Sequence, residues 1–111
     1  MFHAYTNALE LIRALAPVVE QLKAHDANIA DQIVRTATSI TLNVSEGSQR
    51  AKKDRRRFYV MAQGSAAEIR GAFETADAWG WRVNTGEALA ILDREVALLW
   101  GLCHGTRRSD R

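Results

Sequence analysis

The stretch Ser39-Ile40-Thr41-Leu42-Asn43-Val44-Ser45 decides the fold, because it reads two ways. Taken alone it alternates apolar and polar side chains and is rich in β-branched residues, the pattern of a strand. The residues before it set another period. Ile29, Ile33 and Ala37 stand four apart, and Ile40 and Val44 continue their phase as one stripe of a helix. A lone strand would have no partner in this chain, so the stretch reads as helix. Asp26 is placed to cap its start, and Gly47 is the residue type suited to a left-handed position at its end.

Working outward, helical spacing continues on both sides. Tyr5, Leu9, Ile12, Leu15, Val19 and Leu22 form the expected stripe of a first helix, with a kink or restart near Ala16 because Pro17 removes a hydrogen bond and clashes with the preceding turn. A third helix is expected from Lys52 to Trp79, facing inward through Phe58, Met61, Ala62, Ser65, Ile69, Ala72, Phe73 and Ala76, and ended by Gly80. Asn84 and Glu87 resemble a capping box opening a fourth, which buries Leu89, Leu92, Val96, Leu99 and Cys103 and frays into a tail over 105–111. The expectation is one all-α domain spanning residues 1–111, an antiparallel up-down four-helix bundle.

The composition agrees with a folded protein of one domain: 47% apolar and 25% charged residues in 111. No apolar run is long enough to span a bilayer and no signal architecture opens the chain, so a cytoplasmic protein without a membrane partner is expected. Cys103 is the single cysteine, which excludes an intrachain disulfide.

Charge is unevenly placed. Arg50, Lys52, Lys53, Arg55, Arg56 and Arg57 surround only Asp54, so eight residues carry +5, and Arg107, Arg108 and Arg111 against Asp110 add +2 at the end of the chain; with a net charge of +2, the remainder is acidic by −5. Cations at a helix start oppose its dipole by roughly 0.3–1 kcal/mol each. Two readings account for them: a site for phosphate groups, or a solvated basic face that neutralises the end of the preceding helix. With Phe58 at the centre of the core direction, Lys52, Lys53, Arg56 and Arg57 face solvent, without interleaved aromatic rings to stack bases.

A second surface is too apolar to be exposed. Opposite the core stripe the third helix carries Val60, Gly64, Ala67, Gly71 and Ala78; the second has ten consecutive uncharged residues between Arg35 and Glu46, and carries Val34, Thr38, Thr41, Leu42 and Ser45 away from its core stripe. Homo-oligomerisation through Thr38, Leu42, Val60, Gly64, Ala67 and Gly71 is the expected remedy. No phosphate-binding loop, nucleophile elbow or metal-ligand spacing is present, and Glu46 and Glu68 lack the histidines of a diiron bundle, so no catalytic residue, cofactor or metal site is expected.

Gln32 to Ile40, then Asn43-Val44-Ser45-Glu46-Gly47 and Arg50, then Phe58 and Gly64-Ser65-Ala66-Ala67-Glu68-Ile69, resemble a bacterial family of four-helix-bundle proteins encoded in intervening sequences of large-subunit ribosomal RNA genes. That family includes the accessory variability determinants of diversity-generating retroelements. The resemblance spans Tyr5 to Cys103. It implies a homopentameric barrel with helices 2 and 3 central and, for the retroelement members, a basic surface that binds RNA or DNA and a reverse-transcriptase partner. Asn43, Glu46, Gly47, Gly64, Ser65 and Glu68 match the signature and read as architectural. Glu46 is placed to answer the arginines after it, and Gly64 with Ser65 to let helices approach. The alternative is a structural or protein-interaction oligomer of the same family.

Overall fold

A computed structural model describes residues 2–104, and all regular structure among them is helical. Four helices follow in order: α1 His3–Lys23, α2 Ala27–Ser48, α3 Lys52–Ala78 and α4 Gly86–Cys103. α1 and α3 each pack on both α2 and α4, which gives a bundle measuring 44 × 22 × 20 Å. Among the described residues no helix is long and apolar enough to cross a membrane.

The ambiguous stretch is helical throughout. Its threonines do not force a strand because their hydroxyls donate back to carbonyls four residues earlier: Thr36 to Gln32 at 2.5 Å, Thr38 to Val34 at 2.8 Å and Thr41 to Ala37 at 3.4 Å. Ile33, Ala37, Ile40 and Val44 are buried along it, as their phase requires. Asp26 caps the helix, its Oδ1 accepting from the N–H groups of Asn28 at 2.9 Å and Ile29 at 3.0 Å.

Gly47 has a different role from the expected one. It lies inside α2 with ordinary helical backbone, buried against the start of α3, and a Cβ there would stand 2.7 Å from Cε1 of Tyr59 and 3.2 Å from Cβ of Phe58. The glycine is required by close approach. The left-handed ending occurs instead after α3, where Gly80 has φ +79°. Its N–H donates to Asp77 and that of Trp81 to Ala76, at 2.9 and 3.0 Å, which satisfies two terminal carbonyls.

α1 runs unbroken through Pro17, so there is no restart at Ala16; both residues are exposed, as is Arg13, whose carbonyl loses its usual donor. The buried stripe of its first half is turned by about one residue from the expected one. Ala4, Ala8 and Leu11 are buried, whereas Tyr5, Leu9 and Ile12 are half-buried. The cause is a polar pair in the core. Asn7 Nδ2 donates to the Ile91 carbonyl at 3.1 Å and to Oε1 of Glu95 at 2.9 Å, and Glu95 is 0% exposed. Burial pushes the Glu95 carboxyl up from 4.5 to about 7, against the hydrogen bond from Asn7, which lowers it. Neither Oδ1 of Asn7 nor Oε2 of Glu95 has a protein partner among the described residues. α4 begins later than Asn84 predicts: Thr85 takes the cap position without a side-chain bond, while the Asn84 N–H donates to Gln21 Oε1 at 2.7 Å and ties the α3–α4 loop to α1.

Candidate nucleic-acid interface

The basic segment occupies one end of the bundle, where the C-termini of α2 and α4 meet the N-terminus of α3. This resolves part of the electrostatic difficulty. Cations unfavourable for their own helix stand beside the negative ends of two others. Arg56 makes the contact directly, donating from Nε to the Cys103 carbonyl at 3.0 Å.

The six cations divide by what holds them. Arg50 turns back to Glu46, at 2.7 Å from Nε and 2.5 Å from its terminal nitrogen, and lies 3.9 Å from Asp54. Glu46 therefore answers an arginine as the sequence predicts. Arg55 is half-buried and straps the α2–α3 turn by donating to the Arg50 carbonyl at 3.3 Å, with Nε buried and unpaired among the described residues. Lys52, Lys53, Arg56 and Arg57 are exposed, as expected. Arg107 and Arg108 lie outside the described residues.

Two expectations for α3 are corrected. Its buried face at this end is centred on Tyr59, 2% exposed, while Phe58 is half-buried and Met61 is 48% exposed. Tyr59 takes the inner position because Gly47 leaves room for its ring, and burial pushes its hydroxyl pKa upward. The basic segment also does have aromatic companions. The guanidinium groups of Arg57 and Arg50 lie over the Phe58 ring, 4.7 and 5.1 Å from its centroid. Trp100, 57% exposed, stacks on His104 one residue beyond the carbonyl that Arg56 holds. Trp100 and His104 were legible as an i, i+4 pair on the last turns of α4, a spacing that places two rings on one face.

The signature residues behave mostly as architecture. Asn43 Nδ2 donates to the carbonyl and hydroxyl of Ser39, at 2.9 and 3.0 Å, and Ser65 donates to that hydroxyl at 3.3 Å, joining α2 to α3. Glu68 receives Thr36 at 3.5 Å, so Glu46 and Glu68 sit at separate levels and do not meet. Gly64 departs from its expected role: it brings no helix of this chain close, and a Cβ there would find nothing within 4 Å. It shares an exposed face with Val60 and Ala67, continued by the half-exposed Gly71; Thr38 and Leu42 of α2 are exposed as well, the last to 63%, but Thr38 lies toward α1. This face follows Lys53 and Arg57 along the same side of α3, at about 100° per residue.

Cys103 is buried, its thiol donating to Gln63 Oε1 at 3.4 Å, and burial raises its pKa against the nearby Arg56. No three His, Cys, Asp or Glu side chains gather as a metal site among the described residues.

The chain is a four-helix bundle with a charged end, a polar α2–α3 seam through Asn43 and Ser65, and a glycine admitting Tyr59. The family model described as 23S rRNA-intervening sequence protein matches residues 2–86, and the chain belongs to that family. No curated protein and no solved structure matches it.

Proposed function

We propose that this chain is a non-enzymatic, cytoplasmic accessory protein that assembles as a homo-oligomer and binds RNA or an RNA–DNA hybrid through its basic end, beside a reverse transcriptase as in the retroelement members of its family. The observation that carries the reading is the state of Lys53 and Arg57. Both are exposed, and among the described residues neither has a carboxylate at ion-pair distance. Their charge is available to phosphates, so binding depends on salt and is weakly selective for sequence. The face of Val60, Gly64 and Ala67 beside them supports assembly, and a pentamer, the arrangement the family resemblance implies, multiplies the positive field around one axis. The up-down antiparallel order is supported by the pairings of Ser39 with Ser65, Arg70 with Asp93 and Asn7 with Glu95.

Retention of labelled RNA across a salt series tests this. Replacing Lys53 and Arg57 by Glu is expected to abolish retention at low salt while leaving helicity intact; unchanged affinity, or no affinity in the parent chain, sinks the reading. A structural oligomer docking an acidic protein is the second reading. It is favoured by the internal engagement of Arg50, Arg55 and Arg56, and nuclease-resistant recovery of a protein without nucleic acid identifies it.

A further inference from the structure

The charged side chains do not account for the rings beside them. Trp100 is 57% exposed, although an indole of its size ordinarily gains from burial. Its ring stacks on that of His104, with centroids 4.3 Å apart and planes within 17°. The pair is held in place. The His104 backbone N–H reaches the Trp100 carbonyl at 2.9 Å and ring Nδ1 reaches it at 3.0 Å; since a carbonyl only accepts, Nδ1 carries the proton. The two bonds hold His104, and the indole lies stacked on its ring, so little freedom is lost when a third ring adds to the pair.

Position gives the pair its meaning. Cys103, between Trp100 and His104 in sequence, holds Arg56 on its carbonyl, so a guanidinium is anchored on the same last turn of α4 that carries the rings. Lys53 and Arg57 project from the same turns of α3. An acidic protein partner would engage the rings only by placing an aromatic side chain beside its carboxylates, and a duplex exposes a π-face only at its ends. An unpaired strand offers a phosphate and a free π-face in every unit.

We propose that the Trp100–His104 pair is the stacking platform for an unpaired base of a single-stranded nucleic acid whose phosphates lie against Lys53, Arg56 and Arg57. This rests on the nucleic-acid reading above and narrows its ligand to single strands.

The test compares affinities for a labelled oligo(U) and a blunt RNA duplex of equal length at fixed low salt, with Trp100→Ala and Trp100→Phe beside the parent chain. Trp100→Ala is expected to lose about tenfold on oligo(U), the scale of one base–aromatic stack, with duplex affinity unchanged. Trp100→Phe keeps most of the affinity, and the salt slope on oligo(U) is the same in all three because the phosphate contacts remain. Unchanged oligo(U) affinity in Trp100→Ala, or an equal loss on both ligands, overturns the platform and leaves the basic site standing. Failure of the parent chain to retain either ligand overturns the nucleic-acid reading, and the platform with it.

Discussion

The two ends of the bundle solve the same problem with different materials. At the turn end, where α1 meets α2 and α3 meets α4, Asp26 caps α2 and Gly80 closes α3 locally, while α4 starts from Thr85 without a side-chain cap and His25, Trp81 and Trp79 stack across the two loops with centroids 5.2 and 6.4 Å apart. At the basic end α3 starts from Ala51 without a side-chain cap; Arg50 pairs one turn back with Glu46, Arg56 reaches the Cys103 carbonyl of α4, and Lys53 and Arg57 have no carboxylate at ion-pair distance among the described residues. The basic end is where exposed cations crowd together, which is what the proposed anion site requires.

The largest effect expected from this contrast concerns Glu95, on the half of the bundle toward the basic end. A carboxyl whose pKa is raised on folding contributes stability that is fully present below its unfolded value, and the contribution disappears as pH rises through the folded one. With 4.5 unfolded and about 7 folded, the bundle loses about 3 kcal/mol between these limits, at about 1.4 kcal/mol per pH unit. Urea unfolding across this range, with Glu95→Gln as reference, measures it. A parent chain whose pH profile parallels that of the variant contradicts the buried acid.

Next in size is Gly47→Val. The added side chain meets Tyr59 and Phe58, both fixed at the basic end, and is expected to cost about 2 kcal/mol through overpacking, despite the better helix propensity of valine. Unchanged stability would mean that Tyr59 has somewhere else to go. At the turn end Asp26→Ala removes a single cap and is expected to cost about 1 kcal/mol, read from the same unfolding curves, with RNA retention unaffected. A loss of RNA retention in this variant would break the separation of the two ends.

The turn end is legible at Asp26 and Gly80 but not at Asn84, whose N–H is taken by Gln21 of α1. Asp26 and Gly80 announce themselves because caps are local chemistry, and the four helices follow from apolar spacing. The basic end departs from the sequence pattern wherever a distant residue decides the outcome. Tyr59 rather than Phe58 turns inward because Gly47, twelve positions earlier, makes room. Asn7 enters the core because Glu95 waits there, which turns the start of α1. Periodicity weighs neighbours along one helix and carries no information about a partner on another. The aromatic companions of the cations divide: Phe58 directly follows the Arg57 that lies over it, whereas Trp100 belongs to α4, whose last turn reaches Arg56 only through the fold.

Among the described residues Gly80 alone adopts a positive φ, +79°. The backbone there has the handedness natural to a mirror-image amino acid. A chain made by chemical synthesis with D-alanine at this position keeps the turn, and the unfolded ensemble it must leave is smaller than that of glycine. L-alanine at the same place is strained. The difference in melting temperature between the two diastereomers is a direct reading of how firmly the α3–α4 turn is set.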